Sequence, residues 1–431
     1  MATFKLVAVL LFTLYSSSVL GGPLEFSNVT SNIPVEDDSW REKALADIET
    51  HRKTDLRVTL TDSKGRALTD AKVHFEMKQQ GFLFGTCVGV RQLMIDLSTS
   101  ARFQQIILNN FNTIVFENDL KWPQWQTSQS NNDQNHRVSW TMDAINWAAQ
   151  RNIKTRGHAM LWGSWRWSPS DIPRDPPGLR AAIANHVQDI GSRLQGHLVD
   201  WDVLNEPYSE NDYTNLLGLD EVITWFRAAR QADGQAKLFL NDYPHPGDSN
   251  FVNYDTEVLR RLVQGGAPVQ AFGIQGHVGT EPWNIQQYQN MMNSFANTGV
   301  DLAVTEYDTE ISNEQTDANF LRDFMLATFA HPRMKEFLVW GFWDSVHWKG
   351  RAPFFRADWT EKPALVVYRD LVFNQWWSNV TGRTDQDGFY SHRVFQGEYD
   401  IHVTTSVGKS QTFKTTVSHG QTAQSLSLVL D

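Results

Sequence analysis

The sequence predicts an α/β protein: a (β/α)8 TIM barrel with a small β-sandwich formed from N- and C-terminal segments. Three observations lead there. Between residues 82 and 375, eight short apolar runs alternate with longer amphipathic stretches. Residues 376–431 turn instead to Thr, Ser, Val and Gly, with apolar residues at every second position. A similar alternating piece precedes the barrel at residues 51–81.

The chain has 431 residues, 41% of them hydrophobic, enough for one large barrel and a smaller module. Its start reads as a signal peptide over residues 1–22. Lys5 supplies a short basic region, and an apolar run from Leu6 to Leu14 follows. Ser16 to Gly22 are small and turn-prone, with cleavage expected near Gly21 or Gly22. The run is too short to span a bilayer, and no membrane association is expected. Residues 23–50 read as a linker that begins with polar, proline-containing sequence. Then Leu56, Val58 and Leu60 alternate with polar residues, Asp62-Ser63-Lys64-Gly65 makes a turn, and Val73, Phe75 and Met77 alternate again. This pattern predicts one hairpin or two paired strands.

The barrel strands are expected at Phe82–Gly89, Thr113–Asn118, Lys154–Leu161, Val199–Asn205, Lys237–Asp242, Ala271–Gly276, Leu302–Glu306 and Phe337–Phe342. Helices fall between them, at Trp140–Arg151, Leu179–Leu194, Glu221–Ala232, Tyr254–Gln264 and Asn319–Ala330. A doubly wound open sheet is the alternative, but no glycine-rich phosphate loop follows the first strand. Further strands are expected at Phe389–Val394, Tyr399–Thr404, Thr412–Val417 and Ser425–Leu430. Joined end to end, the two outer pieces resemble a carboxypeptidase-regulatory-like β-sandwich. That resemblance implies a barrel inserted into the sandwich. A hairpin that merely caps the barrel floor is the simpler alternative.

The net charge of −11, with no long basic run, argues against nucleic acid as a partner. Cys87 is the single cysteine, so no intramolecular disulfide is available, and its place in a strand suggests a buried inert thiol. The acceptors Asn28 and Asn379 fit a secreted, extracellular glycoprotein, expected as a monomer.

Barrel active sites lie at the C-terminal ends of the strands. Two glutamates stand there, Glu206 after Trp201-Asp202-Val203-Leu204-Asn205 and Glu306 within Thr305-Glu306-Tyr307-Asp308. Retaining glycosidases need two carboxyls about 5–5.5 Å apart, one protonated and one ionised. Barrel closure brings the fourth and seventh strands to one mouth. The barrel resembles glycoside hydrolase family 10, the family of β-1,4-xylanases, over residues 82–374. The motifs carrying the likeness are Trp201–Pro207, Asn241-Asp242-Tyr243, Gln275-Gly276-His277 and Thr305–Asp308.

The resemblance implies an endo-1,4-β-xylanase with Glu206 as acid/base and Glu306 as nucleophile. It also implies that Glu117, Asn118, Lys121, His158, Trp162, Asn205, Gln275, His277, Trp340 and Trp348 line the sugar sites. Asn205 would bind the 2-hydroxyl, and His277 would orient the nucleophile. Lys121, His158 and Asn118 would hold hydroxyls, and Trp340 and Trp348 would face pyranose rings. Among the seventeen tryptophans, Trp147 reads as core and Trp376 and Trp377 as the barrel–sandwich junction. Two-carboxylate hydrolysis needs no metal and no cofactor; the expected partner is a β-1,4-linked plant polysaccharide, xylan or also cellulose.

The chain departs from the family pattern at Gly163, where a second histidine is usual, and Trp165 and Trp167 follow. Loss of an imidazole there would make room for a hydroxymethyl group, so a β-1,4-glucanase or mixed specificity is the alternative. A non-catalytic carbohydrate-binding barrel is disfavoured, because both glutamates are present.

Overall fold

The strands alternate in burial as their sequences do, and that alternation sorts them into three sheets. The structure, a computed structural model, describes residues 39–129, 135–418, 420 and 423–430. The expected signal peptide and Asn28 lie outside the described residues. In chain order the strands are β1 (Lys53–Asp62), β2 (Lys72–Gln80), β3 (Leu83–Val88), β4 (Thr113–Phe116), β5 (Lys154–Gly157), β6 (Leu161–Trp162), β7 (Asp200–Asn205), β8 (Lys237–Asp242), β9 (Ala271–Ile274), β10 (Asp301–Tyr307) and β11 (Met334–Val339). After the barrel come β12 (Asn379–Arg383), β13 (Phe389–Phe395), β14 (Gly397–Thr404), β15 (Ser410–Val417) and β16 (Ala423–Leu430).

Strands β3 to β11 form one parallel sheet in the order β5-β4-β3-β11-β10-β9-β8-β7-β6, closed by pairing of β5 with β7. β5 and β6 are the two halves of one barrel position, each paired with β7. The chain between them, at residues 158–160, carries His158 out of the ladder at the mouth. The interior strands β4, β7 and β9 are buried along their whole length, as a sheet covered on both faces requires. Helices including Pro176–Arg193, Glu221–Ala232 and Ser249–Gln264 form the outer layer.

The outer strands do not make a hairpin. β1 lies between β13 and β16, while β2 lies between β12 and β14, so the expected pair is split between two sheets. The reason is register: β1 pairs parallel with β16 from Asp55 to Asp62, and β2 pairs antiparallel with β14 from Lys72 to Gln80. Each of the two strands is thereby paired along both edges, which a two-stranded hairpin by itself does not provide. Leu56, Val58 and Leu60 on one sheet, and Val73, Phe75, Ile401 and Val403 on the other, are all buried.

Residues 39–52 also differ from the linker expected over 23–50: Ser39–Arg52 is a helix. Trp40, Ala44 and Ile48 recur every four residues and are buried, one stripe of a helix. Arg41 pairs with Asp323 at 2.6 Å on the helix Glu314–Ala330. Arg52 donates to the carbonyls of Phe329, His331 and Met334. At the barrel floor, Trp376 is buried and stacks on Phe329 with ring centroids 4.1 Å apart. Trp147 is buried in the core.

Candidate active site

β7 ends at Asn205, and Glu206 follows with φ +55°, a left-handed conformation. Such a backbone costs a non-glycine residue on the order of 1–3 kcal/mol and survives where its surroundings over-determine it. Here the Glu206 N–H donates to the Asn241 carbonyl at 2.8 Å. The carboxyl is held on both oxygens. Oε2 accepts from Trp162 Nε1 at 3.1 Å; Oε1 accepts from Gln275 Nε2 at 2.9 Å and from Asn205 Nδ2 at 3.2 Å.

Glu306 lies within β10 and is buried. Its Oε1 accepts from Asn241 Nδ2 at 2.8 Å, and its Oε2 lies 3.3 Å from His277 Nε2. The two carboxyls share one amide network. Asn205 Oδ1 accepts from Asn241 Nδ2 at 2.8 Å and from Gln275 Nε2 at 3.4 Å. Those two amides are the ones that also donate to Glu306 and Glu206. Thr305 Oγ1 donates to Asn241 Oδ1 at 2.7 Å and sets that amide's orientation.

The two carboxyls are driven apart electrostatically. Burial raises the pKa of Glu206, the charge of Glu306 adds to the rise, and the bonds from Gln275 and Trp162 only moderate it. Burial also acts to raise Glu306, but His158 and His277 outweigh it and hold that carboxyl below its ordinary value. His277 is itself raised to about 9: burial lowers it, and Asp308 together with Glu306 more than reverses that. His277 Nδ1 lies 2.9 Å from Asp308 Oδ1. Asp308 further accepts from Trp348 Nε1 at 2.7 Å and Lys349 Nζ at 3.3 Å. On the other side, His158 Nδ1 lies 2.8 Å from Asp202 Oδ2, and Arg156 donates to the same carboxylate at 2.7 Å. The site therefore sets a carboxyl whose pKa is raised beside one whose pKa is held below its ordinary value.

Most of the residues expected to line the site converge here. Lys121 Nζ donates to Asn118 Oδ1 at 3.1 Å and lies 5.0 Å from the Trp162 ring centroid. Glu117 follows β4, and burial raises its pKa against the pull of Lys121. Trp348 is 56% exposed and meets His277 edge to face at 5.2 Å. Trp340 is largely buried and packs with Cys87, Val115 and Leu338, and it lines one small cavity with Glu117 and Trp348. Its ring meets His158 edge to face at 5.2 Å. Cys87 is buried, and burial pushes its thiol well up, so it is inert.

The structure adds Asn241, Asp202, Arg156 and Asp308 to the residues named from sequence. Asn241, Asp202 and Asp308 stand in motifs already visible there, and that position was their signal. Arg156 lies in an expected strand, and only closure pairs it with Asp202. At Gly163, a Cβ would lie 2.9 Å from the Glu210 carbonyl, so a side chain there would meet backbone at its first carbon. Trp162 and Trp167 stack beside it at 4.4 Å.

The family model described as Glycosyl hydrolase family 10 matches residues 73–371. The chain belongs to this family. As a family 10 chain, it is 28% identical over 385 residues to Anti-sigma-I factor RsgI6 of Acetivibrio thermocellus, covering 88% of this chain and 48% of that one. It is 28% identical over 376 residues to Endo-1,4-beta-xylanase 1 of Arabidopsis thaliana, covering 84% of this chain and 38% of the relative. The chain thus spans less than half the length of these two curated relatives. The fold is also that of xylanase 10B from Thermotoga petrophila RKU-1, solved in complex with xylobiose, with a TM-score of 0.62 and 21% identity over 68% of this chain and 95% of that one.

Proposed function

We propose that this family 10 barrel is an endo-1,4-β-xylanase that cleaves internal linkages of xylan with retention of configuration. Glu206 protonates the leaving oxygen, and Glu306 attacks the anomeric carbon to form a glycosyl-enzyme. Glu206, now ionised, then takes a proton from the water that releases the sugar. The observation carrying this reading is the opposite shift of two carboxyls held in one amide network. His277 and His158 keep the nucleophile anionic. Asn205, tied to both amides, is placed to meet the 2-hydroxyl as charge develops at the anomeric carbon. The retention of both carboxyls and their cationic partners favours turnover over a purely binding role.

The test is product analysis on xylan and on carboxymethyl cellulose, with the anomeric form of the first product followed by NMR. Early β-anomer and short xylo-oligosaccharides are expected. Early α-anomer would overturn the mechanism, and equal cleavage of cello-oligosaccharides would overturn the substrate assignment. Glu306→Ala should bind xylo-oligosaccharides without turning them over.

A further inference from the structure

The outer face of the β12-β2-β14-β15 sheet carries two histidines and two carboxylates in a square. β2 and β14 are antiparallel neighbours in which His402 lies opposite His74 and Asp400 opposite Glu76. Residues two apart on a strand share a face, so all four side chains rise from one patch. The two imidazoles lie 5.4 Å apart, tilted by 31°. Ligand atoms of Glu76, Asp400 and His402 lie within 4.8 Å of one another.

His402 is already aimed into this patch. Its Nδ1 lies 2.9 Å from Thr412 Oγ1 on β15, and its Nε2 lies 2.8 Å from Glu76 Oε2. Lys78 Nζ holds the other oxygen of Glu76 at 3.1 Å, which leaves Oε2 for the cluster. The Nε2–H tautomer of the imidazole satisfies this contact by donating to the carboxylate, and a metal ion that displaces that proton would use the same two lone pairs. Taken alone, a half-exposed histidine–carboxylate pair is an ordinary surface contact of little net stability. An ordinary pair does not explain the second histidine and second carboxylate in register, nor the hydroxyl fixing the far nitrogen. That hydroxyl is the kind of partner that orients a metal-ligating imidazole.

We propose that His74, Glu76, Asp400 and His402 form a binding site for a divalent transition-metal ion of the zinc or nickel type. Two imidazoles with two carboxylates suit those ions, whereas calcium and magnesium select all-oxygen sets. Bonds of about 2.0–2.2 Å require the ligand atoms to draw inward. His74 does so by turning from Asn379 Oδ1, now 2.5 Å from its Nε2. The ion ties strands that precede and follow the barrel, with Glu76 and His402 326 positions apart. It acts on the closure of the sandwich and takes no part in hydrolysis.

The experiment uses the full chain without a histidine tag, stripped by chelator, titrated with zinc chloride or nickel chloride by calorimetry and by melting temperature. One ion per chain and a raised melting temperature are expected. Affinity falls on acidification, because protons compete with the ion for the imidazole nitrogens. His74→Ala with His402→Ala should abolish binding, and Thr412→Val should weaken it about tenfold, as loss of an orienting partner does. Asp400→Asn reads the same weakening should the double variant fold poorly, and unchanged xylan hydrolysis confirms an intact barrel. The proposal is overturned if zinc and nickel leave the melting temperature unchanged, if the double variant binds as the parent does, or if calcium binds equally well.

Discussion

His277 bridges two carboxylates: its Nδ1 lies 2.9 Å from Asp308 Oδ1 and its Nε2 lies 3.3 Å from Glu306 Oε2. Asp308 keeps the imidazole charged, and the charged imidazole keeps Glu306 ionised. The ionisation of Glu306 is thus tied to Asp308, a carboxylate it meets only through His277.

Asp308→Asn should therefore move the acidic limb of the kcat/KM profile to higher pH. His277 loses the carboxylate that raises it to about 9, and Glu306 loses a cationic neighbour. The alkaline limb reports Glu206 and should stay near its parental position, since activity there ends as that raised acid deprotonates. A variant whose acidic limb does not move would break the link between Asp308 and the nucleophile.

The same bridge gives a stability signature. The folded pKa of His277, about 9, lies above its ordinary value of 6.5. The stabilisation is complete below about pH 6.5 and is lost as the pH rises through about 9. The parental melting temperature should fall across that window, and His277→Asn should be less stable at pH 6 but nearly flat from there to pH 9.

Arg156→Met should destabilise the barrel by about 3–5 kcal/mol in urea unfolding, the cost of stranding a buried charge. Arg156 is buried with Asp202 and lies 3.4 Å from Glu336. Burial acts to raise Asp202, but Arg156 and His158 leave it below its ordinary value. The substitution should also raise KM, because Asp202 would no longer hold His158 still.

Asp255→Leu should cost more than Asp255→Asn by about 1–3 kcal/mol, the penalty for an acceptor left unpaired in the interior. Asp242 and Asp255 are both buried, and burial raises both carboxyls well above the ordinary range. Asp242 accepts from the backbone N–H of Tyr208 at 3.1 Å and of Tyr243 at 2.9 Å, bonds that act to lower it while its contact with Asp255 raises Asp255. The shared proton is expected on Asp255. Asparagine keeps that donor and leucine does not; equal melting temperatures for the two variants would refute the assignment.

The barrel was legible in the sequence because its signals are local. Thr113–Phe116, Lys237–Asp242 and Glu221–Ala232 each carry a period or an apolar run that does not depend on the rest of the chain. The positions of Glu206 and Glu306 at strand ends were legible for the same reason, since each sits in a short motif. What tertiary structure alone decided depends on distances between remote residues. β1 and β2 alternate identically whether they pair with each other or, as here, with β13, β16, β12 and β14. Trp40, Ala44 and Ile48 form a stripe that becomes a helix because Asp323 and the carbonyls near Phe329 receive it. The opposite shifts of the two glutamates follow from charges and burial around each one, and Coulomb energy is a function of separation in space, not along the chain.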